Sequence, residues 1–357
     1  MTAARLVAAL GRPRELTRLS SRDWEWMIGR ARAARLLGRL ALRLEQEACL
    51  ADVPPMPRRH LQWALREWEA QQRTLRWDVE FIARALAKID TPIVLLKGAA
   101  YVMAGLLPAM GRLFGDIDIM VRQERLGEVE SALLTKGWFA TNLDPYDQRY
   151  YRAWMHELPP LQHLLRDTVL DVHHTIAPPV SRHSVEAAKL FAAARRLEIS
   201  GNVYVLSPPD MLLHSSTHLM QEGEFEHGLR DLMDIDDLFR HFGREPTFWP
   251  SLVHRAAEHR LGRPLYYAAM QVRRTLGTPM PADFIAEMTR FAPARPTRSV
   301  MNAIFDTAIS RQSIRARAAL PQLCRWLLYI RGHYLRMPLR LLLPHLVRKG
   351  WRRNVAI

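Results

Sequence analysis

Arg112-Leu-Phe-Gly-Asp-Ile-Asp-Ile-Met-Val121 places two carboxylates, Asp116 and Asp118, two residues apart within an apolar run. Side chains alternate along a β-strand, so both acids face one way and Ile117, Ile119 and Val121 face the other. Like charges on one half-buried face repel, and their desolvation is costly. An edge strand with one face in water would relieve that cost. A divalent cation would relieve it too, and Mg2+ held by one or two carboxylates plus substrate phosphates is a common form.

The flanking segments favour the cation. Upstream, Thr91-Pro-Ile-Val-Leu-Leu-Lys-Gly-Ala-Ala-Tyr101 reads as a short buried strand, Ile93 to Leu96, that passes through Lys97-Gly98 straight into a helix. Helix N-termini present free N–H groups and a positive dipole, which suits phosphate, and a glycine allows close backbone approach. Downstream, Thr168-Val-Leu-Asp-Val-His-His174 reads as another apolar strand carrying a third acid, Asp171, on the face of His173. It pairs in a hairpin with residues 161–165, turning at Arg166-Asp167, which brings His163 near the acids. His173 and His174 are adjacent, so they point to opposite faces and do not make a paired zinc site.

The succession Leu96-Lys97-Gly98, helix, Gly115-Asp116-Ile117-Asp118, then Asp171-Val172-His173 resembles the DNA-polymerase-β-like nucleotidyltransferases. Within that superfamily it is similar to the bacterial family labelled uncharacterised nucleotidyltransferase, over roughly residues 60 to 240. The resemblance implies an α+β fold: a small mixed β-sheet core of α/β type with N-terminal and C-terminal helical segments. It implies Asp116, Asp118 and Asp171 as catalytic acids and ligands of two Mg2+ ions, with Mn2+ as a substitute. Lys97, Gly98, Ala99, Arg112 and Gly115 would contact the nucleotide, and His173, His214, His218, Arg230 and Asp231 form a second rank of site residues. The implied donor is an NTP, taken as ATP, whose AMP moves to a hydroxyl or phosphate of an acceptor that the residues do not identify. Ala99 departs from the usual Gly or Ser, and the stretch from Gly98 to the acids is long. Those departures keep open a catalytically inactive module that retains the fold for binding.

The 357 residues suffice for two domains or for one core with helical extensions, and 48% hydrophobic with 24% charged residues indicates a packed globular chain. Residues 1–90 are expected to be helical, 91–206 to form the catalytic core, 207–290 a helical support domain and 291–357 a basic helical region. The net charge of +15 favours anionic partners. Only five of the 51 basic residues are lysines, so coding composition contributes to the arginine excess as well. From Arg290 onward there are 14 basic residues and one acid, Asp306, interleaved with Trp326-Leu-Leu-Tyr-Ile330, the leucine-rich run 335–343 and Trp351-Arg-Arg353. Such a segment suits an anionic membrane surface or a nucleic acid backbone, and equally a helical bundle with an arginine-rich outside. The alternative function is therefore a basic surface-binding protein.

Cys49 and Cys324 form no metal or redox motif, and no uninterrupted apolar run reaches membrane-spanning length. The opening apolar stretch is too short for a signal peptide. These readings give a cytoplasmic protein, with the basic tail permitting a peripheral position at the inner membrane face.

Elsewhere the spacing predicts helices from Trp24 to Glu47 and from Arg58 to Lys88, the latter with Trp63, Leu65, Trp68, Leu75, Phe81, Ile82 and Leu86 inward. A helix over Glu124–Lys136 ends at Gly137 and is followed by a strand at Trp138–Thr141. The aromatic stretch 145–160 reads as a packed connection rather than an acceptor-binding loop. A hairpin turns at Gly201-Asn202, and a helix starts at Ser207-Pro-Pro-Asp210. Asp231, Asp234 and Asp237 share one face of a helix over Leu229–Phe239, expected to be solvated and flanked by Arg230 and Arg240.

Overall fold

The computed structural model describes residues 3–141, 144–181, 185–199, 201–222, 225–310 and 319–342. Trp351-Arg-Arg353 lies outside them. The sheet is built from β1 (Ile93–Leu96), β2 (Ile117–Met120), β3 (Trp138–Ala140), β4 (Leu161–His163), β5 (Val169–His173), β6 (Arg195–Arg196) and β7 (Val203–Val205). Their order is β3-β4-β5-β2-β1-β7-β6, with β2 parallel to β5, β1 parallel to β7, and the remaining neighbours antiparallel. The fold is α+β, a mixed sheet carrying helices before and after it.

β1 and β2 are internal strands, and all four residues of each are buried, as a strand covered on both faces requires. The edge-strand reading of Asp116-Ile-Asp118 is thereby excluded. The β4–β5 hairpin turns where Asp167 takes a positive φ, and β6–β7 forms the second hairpin around Gly201.

The helices preceding the sheet are α1 (Ala3–Gly11), α2 (Ser21–Ala33), α3 (Leu37–Gln46) and α4 (Pro55–Ala85). The helix predicted over 24–47 is thus two, broken where Arg35 adopts φ 53°. The break reorients the following segment, so that Leu36, Leu40 and Leu44 still reach the core from a second axis. Gly38 at the start of α3 meets the loop at Gly111; a Cβ on Gly38 would lie 2.5 Å from the Gly111 carbonyl oxygen. On α4, Leu65, Leu75 and Ile82 are buried, as is Leu86 at its C-cap, and Trp68 and Phe81 are partly so. Trp63 is 68% exposed, against expectation: residue 63 lies on the solvent side between the inward Leu61 and Leu65. Asp78 is buried on α4 and accepts hydrogen bonds from Arg166 (2.8 Å) and Thr168 (2.6 Å), pinning the helix to the β4–β5 hairpin.

Within the sheet region lie α5 (Lys97–Met103), α6 (Leu126–Leu134), α7 (Pro145–Trp154) and α8 (Ala187–Ala193). α7 replaces the connection expected over 145–160. Asp144 caps it by accepting the Tyr146 amide at 2.9 Å, and Trp154 meets the Tyr146 and Tyr150 rings edge-on. After the sheet come α9 (Pro208–Glu222), α10 (Gly228–Phe242), α11 (Phe248–Glu258), α12 (Gly262–Leu276), α13 (Ala282–Met288), α14 (Arg295–Ser310) and α15 (Ala319–Arg336). α9 is central to this half and packs on α10, α11, α12 and α15. It is anchored by Asp210, wholly buried, which accepts two hydrogen bonds from Arg255 at 2.9 and 2.7 Å and one from its own cap Ser207 at 2.7 Å.

Candidate active site

The parallel pairing of β2 with β5 sets Asp118 directly beside Asp171, and β1 sets Leu96 opposite Asp118. Asp116 stands one turn of the pleat before Asp118. Carboxylate oxygens of Asp116, Asp118 and Asp171 all lie within 4.8 Å of one another, Asp116 being the most open of the three and Asp118 the most buried. Two strands far apart in the chain therefore deliver three acids to one end of the sheet.

Lys97 projects from the β1–α5 junction and donates to Asp118 Oδ1 at 3.0 Å. Its φ of 42° is left-handed, a strained conformation for a residue with a side chain, and it turns the chain abruptly from strand into helix. His173 Nε2 is 3.0 Å from the same Asp118 oxygen, and its Nδ1 is 3.3 Å from Glu157 Oε2. Glu157 is held in place by an isolated bridge to His173. His156, Glu157 and His173 form a second group of metal-capable side chains, with ligand atoms within 4.8 Å.

Electrostatics divide the acids. Burial would raise the Asp118 pKa, but the Lys97 charge and the His173 hydrogen bond override it and hold that carboxyl far below the ordinary range. Burial and then the Asp118 charge push Asp171 up to about 7, and partial desolvation plus Asp118 raise Asp116. Burial would lower His173, but the Asp118 hydrogen bond and the Glu157 charge raise it. The cluster holds more negative charge than its neighbours neutralise, and every donor atom is a carboxylate oxygen. That set fits a hard divalent cation.

Asp116 and Asp118 open into a cleft of about 180 Å³ whose opposite wall comes from α9 and α10, while Asp171 stands beside Asp118 without lining it. His218, Arg230 and Asp231 line it together with Lys97, Gly98, Arg112 and Gly115. His214 is buried on α9, where burial and the nearby Lys97 charge hold it neutral. Ala99 is buried under the β1–α5 junction. Arg35, Tyr101, Phe114, Ser215 and His227, none of them a site candidate from sequence, also reach the cleft, as does Asp234 of the acidic α10 face. His163 does not approach the acids; its ring packs edge-on against Phe81 and Trp138 on the α4 side.

Gly98 faces the Phe114 ring, and a Cβ there would lie 2.2 Å from Phe114 Cδ1. The Arg112 guanidinium lies over that ring at 5.0 Å. Gly98→Ala is expected to destabilise the fold by about 1–3 kcal/mol through overpacking, and Phe114→Leu in the same chain to restore part of the loss in a thermal melt. A Gly98→Ala variant that melts with the wild type would refute the packing role.

One expectation is corrected: the acidic face of α10 is not solvated. Asp234 is 3% exposed and is ion-paired with Arg112 and, at 3.1 Å, with Arg39 of α3; Arg39 also donates to Asp237 at 2.5 Å. Arg230 bonds Asp231 at 2.6 Å, whereas Arg240 turns away to Asp236. Nothing local announces these partners, because Arg39 and Asp234 are 195 residues apart.

A mixed sheet that presents three convergent carboxylates beside a lysine and a partly cationic cleft is the kind of centre that handles phosphate esters through a divalent cation. A family model described as uncharacterised nucleotidyltransferase matches residues 20–277, spanning the sheet, the acids and both cleft-wall helices. The chain belongs to the uncharacterised nucleotidyltransferase family. No curated protein and no solved structure matches it.

Proposed function

We propose that this chain is a Mg2+-dependent nucleotidyltransferase of the DNA-polymerase-β-like superfamily, transferring an NMP, AMP from ATP in the first instance, to an acceptor hydroxyl or phosphate. The observation that carries the reading is the convergence of Asp116, Asp118 and Asp171 within 4.8 Å, beside the cleft that Asp116 and Asp118 line. Mg2+ held by those acids would supply charge neutralisation to the triphosphate and acidify the acceptor hydroxyl.

The chain's own groups do the rest. Lys97 and Arg230 stand on opposite walls of the cleft and hold the polyphosphate between them, fixing the α-phosphorus in line with the acceptor. Asp171 takes the acceptor proton as the acceptor oxygen bonds to the α-phosphorus and the bond to the leaving pyrophosphate breaks. Lys97 then meets the charge that gathers on the leaving group. His173, fixed by Glu157, keeps Asp118 in one orientation.

Calorimetric titration of each NTP, with and without Mg2+, tests this on the wild type and on Asp116→Asn. One nucleotide should bind in the micromolar range only with Mg2+, and the variant should lose it. Absence of binding by any nucleotide to the wild type would reject the reading. One observation favours a second one: the Phe114 ring fills the open side of Gly98, and Ala99 supplies no hydroxyl. A binding module without transferase activity accounts for both, and nucleotide binding with no pyrophosphate release against any acceptor would establish it.

A further inference from the structure

α15 has two apolar sides. One, with Cys324, Leu328 and His333, is buried where the helix packs on α9 and α14. The other carries Leu320, Leu323, Trp326, Leu327, Ile330 and Tyr334, spaced three or four residues apart so that they form one stripe, and all six are exposed. Trp326 alone is 57% open, and Leu339 just beyond the helix continues the patch at 52%. A soluble surface has no use for a stripe of this kind unless something covers it.

Charge selects what covers it. From Arg290 to the end of the sequence there are 14 Arg and Lys residues against Asp306 alone. Asp306 is itself ion-paired with Arg274. A second copy docking the same stripe would bring two strongly basic C-terminal regions together, each with its exposed Arg340 just beyond the helix. A nucleic acid backbone would be met at the stripe by leucines and isoleucine, which offer it no donors. An anionic lipid surface satisfies both halves, taking the apolar stripe at the acyl boundary, the Trp and Tyr at headgroup level and the cations at the phosphates. Among the described residues no helix is long and apolar enough to cross a membrane.

We propose that α15 is an interfacial helix by which the protein docks on an anionic lipid bilayer. The proposal is independent of the nucleotidyl-transfer reading. It is tested on the full chain by co-sedimentation with phosphatidylcholine vesicles, with and without phosphatidylglycerol, at low and high salt. The wild type should bind only the phosphatidylglycerol vesicles and less at high salt. The variant Leu323→Ser/Trp326→Ser/Leu327→Ser, all at exposed positions, should partition at least about tenfold less while melting with the wild type. Failure of the wild type to bind, or equal binding by the variant, would overturn the assignment. So would a wild-type dimer in sedimentation equilibrium that the variant converts to monomer without any vesicle binding, since the stripe's occupant would then be a second copy. Tight binding of an RNA oligonucleotide by wild type and variant alike, again with no vesicle binding, would place the cations on nucleic acid and overturn it as well.

Discussion

Asp116→Asn is expected to abolish nucleotidyl transfer while leaving the fold standing. Asp116 is the most open of the three acids, so the amide enters without a cavity, yet it removes one carboxylate from a set that depends on charge. Loss of a single preorganised hydrogen-bond donor costs about 10²–10³ in rate, and loss of a charged ligand should cost at least about a thousandfold. Stability should move the other way. The Asp116 pKa is raised by desolvation and by Asp118, which means its charge is a net penalty in the folded chain. Neutralising it relieves that penalty, so without Mg2+ the variant should melt at or above the wild type. Activity lost together with a lowered melting temperature would instead assign Asp116 a structural role. Pyrophosphate release and a melt, run on the same preparation, separate the two.

The largest expected effect on stability lies at Arg39. The residue is 7% exposed, and its guanidinium donates to Asp234, Asp237 and the Pro108 carbonyl. Arg39→Ala leaves Asp234 with Arg112 alone and takes from half-buried Asp237 the guanidinium that bonds it, and removing one partner of a buried ionic cluster costs about 3–5 kcal/mol. Burial raises Asp234 to about 6, against the pull of Arg112 and Arg39. Burial likewise raises Asp237. An acid whose folded pKa lies above its unfolded value binds its proton more tightly when folded, so its charge costs stability as pH rises through the folded pKa. Without Arg39 that pKa climbs further, and the defect should be greater near about pH 8 than near about pH 5, where these acids protonate. Urea titrations of both proteins at the two pH values measure it. A defect that is equal at both, or larger at the acidic one, would show that the charges of Asp234 and Asp237 do not carry it.

The strand carrying Asp116 and Asp118 was legible because its evidence is local: alternation is a two-residue period, and Ile117 and Ile119 fill the other phase. The same is true of β1, the Gly137 stop and the Arg166-Asp167 turn. The neighbour of Asp118 was not, because the parallel pairing of β2 with β5 is a long-range choice among strands of similar composition. α7 was missed although Asp144 and the i, i+4 spacing of Tyr146, Tyr150 and Trp154 mark it, since its polar residues and the prolines at 159 and 160 read as a loop. The cleft wall was legible only as histidines and acids on two helices. That Asp234 faces Arg39 and Arg112 rather than water depends on how α3 crosses the Gly111 loop, which no local pattern encodes. Glu157 was invisible for the same reason: it reaches His173 through a single bridge.

The register of β2 against β5 also acts as a gauge on what change the chain can absorb. With Asp118 opposite Asp171 and Ile119 opposite Val172, a slip of one position would turn an isoleucine toward the cleft and drive a carboxylate into the core. An insertion or deletion inside either strand therefore cannot erode the acidic cluster gradually. It must either be taken up in the loops on both sides, leaving the three acids aligned, or cost the protein its core along with its chemistry, so that the site and the fold are inherited or lost together.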